Sequence, residues 1–292
     1  MSMSNKITND NLSLVLKNGR RVGFAEYGDS TGKPVFFFHG VGGGSRLDAR
    51  YLHQAALLNH VRLISMDRPG IGLSSNSKKQ TILSWVDDFE AFADALSIQK
   101  FSIVGHSGGA ACVAACAYKI PHRLISLSIV SGLAPFEKTL PQLSRGQRIL
   151  HKVIHYLPWV ATLMMKMTSM MFKRPKMLKK ALKQMPSVDQ LALQAQGTHD
   201  ALSLALMESF KQGVAGASWE LQRAMKPWGF ELSQIKVKCP INIWQGGLDK
   251  QVPAIHADVF ATLIPQAQSH FFENEGHLSL LINQGEQILA DV

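Results

Sequence analysis

Cysteine is scarce: Cys112, Cys116 and Cys239 are the three in 292 residues. That is too few for a disulfide framework, and their spacing fits no zinc pattern. Cys112 and Cys116 lie one helical turn apart and read as small packing residues. A bilayer-length apolar run is also missing. The most membrane-like stretch, 149–172, is broken by Lys152, His155, Pro158 and Lys166. The opening segment Met1–Asp10 is polar and has no apolar core, which is not the pattern of a secretory signal. Together these features predict a soluble, cytoplasmic protein. No heptad, collagen-like or solenoid period is visible. Gly-x-Gly-x-x-Gly is absent, because Ser45 stands where the third glycine would fall, and no Gly-Lys-Ser/Thr follows the glycines. Dinucleotide and phosphate-loop readings therefore fail.

What is present is ordinary globular composition, 46% hydrophobic and 18% charged. The formal charge of +10 is unevenly placed. Residues 133–230 carry 14 Lys/Arg against 5 Asp/Glu, a local balance of +9, so the remainder is nearly neutral. Six of these cations, Lys173, Arg174, Lys176, Lys179, Lys180 and Lys183, fall within eleven residues. A basic stretch beside an apolar one suits an anionic membrane surface or an anionic substrate, or is simply a solvated face. Nucleic acid is not an expected partner.

Two textures divide the chain. Residues 12–131 alternate strand-like and helix-like segments, as a largely parallel sheet with right-handed crossovers requires. Leu12–Leu16 and Arg21–Tyr27 flank Asn18-Gly19, a hairpin signal. Pro34–Phe38, Val61–Met66, Phe101–Val104 and Leu124–Val130 are short apolar runs suited to buried strands. Helices are predicted near 47–59, 82–96 and 110–118. From about Leu133 to Phe230 the chain reads as helices alone and holds nine of the twelve methionines. Strands resume at Pro240–Trp244 and Gln268–Phe272, with helices near 254–263 and 278–290. The expected organisation is an α/β core, 1–132 and 231–292, with a helical cap inserted at 133–230.

The chemistry concentrates at strand ends. Gly105-His-Ser-Gly-Gly109 sits between a strand and a helix with Ser107 at the apex, where small residues two before and two after permit a sharp turn. Gly108 opens the helix and offers its N–H to a developing oxyanion. His39-Gly-Val-Gly-Gly-Gly-Ser45 also follows a strand, and the Val41 N–H is the expected second donor. A serine nucleophile needs a histidine base and a carboxylate to orient it. Asp249 follows the strand at 240–244 and His277 follows the strand at 268–272, both at carboxyl ends where open sheets build sites. Asp67, in Asp67-Arg-Pro-Gly70, reads as a structural turn residue.

In this order, His39-Gly40, Asp67-Arg-Pro-Gly-x-Gly-x-Ser74, Gly105-His-Ser-Gly-Gly109, Gly247-x-Asp249…Val252-Pro253 and Gly276-His277 resemble the capped α/β-hydrolases, in their esterase- and lipase-like branch. The resemblance covers residues 12–132 and 235–292, and it implies a mostly parallel sheet flanked by helices with a lid at the insertion. Serine rather than aspartate at position 107 departs from the haloalkane dehalogenases and epoxide hydrolases of that fold. The loop lacks the His-Gly-Gly-Pro of proline iminopeptidases, and the basic insertion suits no substrate amine. The expected activity is carboxylic-ester hydrolysis through an acyl-enzyme with Ser107, Asp249 and His277. No metal or organic cofactor is expected, and the expected partner is a small acyl-ester substrate. Acyltransferase, thioesterase, carbon–carbon bond hydrolase and cofactor-free haloperoxidase chemistry share this triad. A ligand-binding receptor on a hydrolase scaffold is the non-catalytic alternative.

Overall fold

Eight strands form one sheet in the order β1-β2-β4-β3-β5-β6-β7-β8. They are β1 Lys6–Val15, β2 Arg21–Asp29, β3 Lys33–Phe38, β4 Val61–Met66, β5 Phe101–His106, β6 Leu124–Val130, β7 Ile241–Gly246 and β8 Gln268–Phe272. The computed structural model describes residues 6–77, 80–195 and 197–292, so the first five residues of the polar N-terminal segment lie outside the described ones. β1 pairs antiparallel with β2 and β2 with β4; β3 to β8 pair in parallel. The hairpin turns at Asn18-Gly19, with Gly19 in the left-handed region at φ +81°. The register of β1 against β2 shifts between Asn9 and Leu12.

Successive side chains of a strand face opposite sides, and the short apolar runs divide accordingly. Phe36 and Phe38 join Ile64, Ile103, Leu127 and Ile243 in one core under α2 (Ile82–Ala95), while Val35 and Phe37 join Leu63, Val104, Val130 and Trp244 in the other. Both layers are closed by helices. α1 (His53–Leu58) lies on the second face with α12 (His277–Asn283) and α13 (Gly285–Ala290); α3 (Ala110–Lys119) and α11 (Ile255–Leu263) lie with α2 on the first. Two helices differ from expectation. The segment 47–59 begins as a 3-10 helix, Arg46–Leu52, before α1, and the last helix is broken at Gln284 into α12 and α13.

Between β6 and β7 the described residues form helices and no strand: α4 Phe136–Thr139, α5 Arg145–Tyr156, α6 Trp159–Phe172, α7 Pro175–Leu182, α8 Ser187–Ala192, α9 Thr198–Ser209 and α10 Ala215–Ala224. Among the described residues, no helix is long and apolar enough to cross a membrane. The helical segment meets the core closely at Gly216, where a Cβ would fall 2.2 Å from the Gly70 carbonyl oxygen.

Candidate active site

β5 runs two residues further than its apolar core, through Gly105 and His106, and breaks at Ser107 into a tight turn that opens α3. Ser107 takes φ +55°, a left-handed conformation that costs a side-chain-bearing residue about 1–2 kcal/mol. Its neighbours show what holds it there. A Cβ on Gly105 would fall 2.4 Å from Val113 Cγ2, and one on Gly109 would fall 2.2 Å from the Phe38 carbonyl oxygen. The second obstacle is backbone and cannot move aside. The glycines at 105 and 109 are therefore the condition for strand, turn and helix to meet.

His277 is the first residue of α12 and is nearly buried. Its Nδ1 lies 2.7 Å from Asp249 Oδ2. Asp249, in the loop after β7, accepts through Oδ1 from the Gln251 and Val252 N–H groups, each at 2.8 Å. Burial alone would raise the Asp249 pKa, but the bond and charge of His277 and these N–H donors outweigh it and hold it below the ordinary carboxylate value. An ionised carboxylate has no proton to give, so Nδ1 is the donor in this pair, and in a neutral ring that leaves Nε2 as the acceptor. Ser107 and His277 line one pocket of about 300 Å³. Among the described residues no hydrogen bond joins the two in this structure.

Two further histidines near the site, His106 and His39, are buried. Burial, with the adjacent His277, lowers His106 to about 3. Its Nε2 lies 3.1 Å from the His277 carbonyl oxygen, to which it donates, and its ring packs 4.7 Å from that of His277. His39 is fully buried, which with Arg68 pushes its pKa far down.

The glycine loop after β3 is held by Arg68, a buried residue to which sequence reasoning gave no role. Its Nη1 donates to the His39 carbonyl oxygen at 2.6 Å and its Nη2 to that of Gly40 at 2.8 Å. Glu220 of α10 accepts from Arg68 Nε at 2.5 Å. All peptide bonds here are trans, so a Gly40 carbonyl turned toward Arg68 sends the Val41 N–H the opposite way. Among the described residues, that N–H donates to no backbone acceptor. A Cβ on Gly40 would stand 3.6 Å from Ser107 Oγ, and one on Gly108 would stand 2.5 Å from Val41 Cγ1. The structure thus brings Val41 and Gly108 together beside the serine. Asp67 lies outside this pocket; it accepts from Arg46 N and Nη1, both at 2.8 Å, and from Leu73 N at 2.9 Å, tying the turn after β4 to the core.

The remaining walls come largely from the helical segment: Met171 and Phe172 at the end of α6, Leu178 and Leu182 of α7, Met185, and Leu206 of α9. Asp48 and Tyr51 add polar groups from the core. Sequence reasoning missed both, since neither belongs to a motif. Burial pushes Asp48 up to about 7 from an ordinary 3.8. Between those values the native chain holds a proton that the unfolded chain has released, so the group costs stability as pH rises through this window. Asp48→Asn is expected to raise stability at pH 8 by about 1–3 kcal/mol, the gain vanishing near pH 4. Urea unfolding at the two pH values checks this; an asparagine variant less stable at pH 8 would mean that the carboxylate is held by the nearby N–H groups.

The comparisons agree with this architecture. Residues 33–284 match the family model described as the alpha/beta hydrolase fold. The chain is 34% identical over 115 residues to the dihydrolipoyllysine-residue acetyltransferase component of the acetoin cleaving system of Cupriavidus necator, covering 39% of this chain and 30% of that protein. It is 30% identical over 130 residues to 2-hydroxy-6-oxo-2,4-heptadienoate hydrolase of Pseudomonas putida, covering 43% of this chain and 46% of that protein. The chain thus spans less than half the length of these curated relatives. Among solved structures, a hydrolase from Pseudomonas aeruginosa superposes with a TM-score of 0.68 at 18% identity, covering 97% of this chain and 96% of that one. With strand order, elbow and family model in agreement over most of its length, the chain belongs to the alpha/beta hydrolase fold family.

Proposed function

We propose that this protein is a serine hydrolase that cleaves a carboxylic ester through an acyl-enzyme, with the helices between β6 and β7 serving as a cap over the pocket. The observation that carries the reading is the 2.7 Å contact between Asp249 Oδ2 and Nδ1 of His277, whose ring shares a pocket with the strained Ser107. Nε2 of His277 accepts the Ser107 proton as Oγ attacks the ester carbonyl. The Val41 and Gly108 N–H groups receive the charge on the carbonyl oxygen. The proton passes to the departing alcohol, and water deprotonated by the same Nε2 then releases the acid. Each step is served by side chains and backbone N–H groups, so none calls for a metal or organic cofactor. Serine and histidine need to close to roughly 3 Å for the first transfer, a contact that often tightens only when substrate binds.

The cap also bears on substrate class. Beside the pocket lies a second cavity of about 720 Å³ that shares Phe172, Leu178, Leu182 and Leu206 with it and adds Lys173, Lys179 and Lys183. Among the described residues none of these lysines is in an ion pair. An apolar cavity edged with unpaired cations favours an acyl ester that carries an anionic group. The curated relative named for a heptadienoate, a carboxylate with a ketone in place of an ester, makes carbon–carbon bond hydrolysis the second reading.

A panel of neutral esters, anionic esters and a keto-dienoate tests both readings and the preference for an anionic group. Ester turnover that depends on Ser107 is expected; turnover of the keto-dienoate alone would replace the first reading by the second. Changing Lys173, Lys179 and Lys183 to glutamine is expected to raise KM for anionic esters several-fold at low salt. The effect should fade as the screening length falls from about 30 Å at 0.01 M toward 3 Å at 1 M. Unchanged KM would leave the lysines as a solvated face, and weakened binding to anionic vesicles alone would make the cap a membrane contact.

A further inference from the structure

The first N–H groups of a helix have no partner inside it and are usually capped by the residue just before. For α12 that residue is Gly276, which has no side chain to offer. The partner comes instead from 88 residues away. Asp189, in α8 of the helical segment, accepts from His277 N at 3.3 Å through Oδ2, and from Leu278 N at 3.0 Å and Ser279 N at 2.8 Å through Oδ1. A Cβ on Gly276 would fall 2.5 Å from Asp189 Oδ1, so the missing side chain is what lets the carboxylate in. Asp189 is fully buried, and among the described residues no cation pairs with it. Burying a carboxylate without a counter-ion is costly; three N–H donors and the positive end of a helix offset that here.

The helix capped in this way begins at the proposed base. His277 is fixed at three points: its ring by Asp249 at 2.7 Å, its carbonyl oxygen by His106 Nε2 at 3.1 Å, and its N–H by Asp189. The first two partners belong to the core and the third to the cap. We propose that Asp189 is a positioning residue for His277, which makes the placement of the base depend on α8 being docked. The inference rests on the triad reading. The cap is then more than a wall of the pocket: if α8 moves away, the base loses its backbone anchor together with the enclosure.

The test uses the full chain with Asp189→Ala, Asp189→Asn and a control, Ser144→Ala. Ser144 caps α5 through its Oγ, which accepts from Gln147 N at 3.3 Å, and has no contact with the site. Three quantities are read: kcat and KM for an ester, the second-order rate of fluorophosphonate labelling, and Tm. Misplacing a reacting group by about 1 Å can cost about 100-fold, so Asp189→Ala is expected to lower kcat and the labelling rate by about 10- to 100-fold with KM within about twofold. Asp189→Asn keeps one carbonyl oxygen for Leu278 and Ser279 and is expected to lose less. Ser144→Ala is expected to lower Tm alone. If Asp189→Ala does not fold, Asp189→Asn decides on the same readouts. Variants that label as fast as Ser144→Ala at the same interval below Tm, or that raise KM with kcat unchanged, overturn the inference alone. An unaltered chain that is not labelled overturns the triad reading and this inference with it.

Discussion

Ser107→Ala is expected to lower kcat/KM for an ester by about 10⁴- to 10⁶-fold and to remove all covalent labelling by a fluorophosphonate. The expectation follows from the turn. Among the described residues Ser107 is the only serine lining the pocket, and it stands on a strand-to-helix break with glycines packed two residues to either side. Alanine keeps the backbone at φ +55° without the hydroxyl, so the fold should persist. It still meets the steric cost of that conformation, and Tm should shift by only a few degrees. Labelling, mass spectrometry of the modified peptide and near-ultraviolet circular dichroism separate loss of chemistry from loss of structure. An alanine variant with full ester turnover would end the serine reading.

Asp249→Asn is expected to lower kcat by about 10⁴-fold with the fold intact. The cause is the proton on Nδ1. Asparagine can turn its amide so that Nδ2–H faces His277, which then places the histidine proton on Nε2, where it cannot accept from Ser107. Its single carbonyl oxygen also has to choose between His277 and the Gln251 and Val252 N–H groups that the carboxylate serves together. His277→Ala should be as damaging. Combining either change with Ser107→Ala should add little, since the three groups act as a unit. Additive losses would mean that Asp249 and His277 contribute separately from the serine.

The elements carrying the site were legible because local chemistry forces them. Phe36, Phe37 and Phe38 are buried on alternate faces, and so uninterrupted an apolar run has few other resting places than the middle of a covered sheet. The spacing of Gly105 and Gly109 around Ser107 reflects a contact between backbones, which any sequence making that turn has to respect. Asp249 and His277 could be singled out as candidates because strand ends could be counted, and the structure places them 2.7 Å apart. What escaped reading was tertiary. Arg68 looks like a surface cation, and only the folded chain shows it buried against the His39 and Gly40 carbonyls with Glu220 behind it. Asp189 lies in a short helix with no motif, and its partners are main-chain N–H groups, which leave no mark in a sequence. The 3-10 form of Arg46–Leu52 was likewise invisible, as was the turn of Arg46 inward onto Asp67, with Nη1 at 2.8 Å from Oδ2.

The shift of register between Asn9 and Leu12 has a consequence for how these molecules tolerate crowding. β1 is one of the two edge strands of the sheet and pairs with a neighbour on one side only, and an unpaired row of main-chain donors and acceptors is a template on which another chain can grow. The irregularity interrupts its repeat in mid-strand, and the alternating exposure of its side chains leaves few apolar groups for a visitor to grip. A strand arriving from a second molecule could match the rim on one side of Asn9 or the other, but not along its full length. The rim that a long hairpin leaves open is thereby made a poor seed for edge-to-edge aggregation.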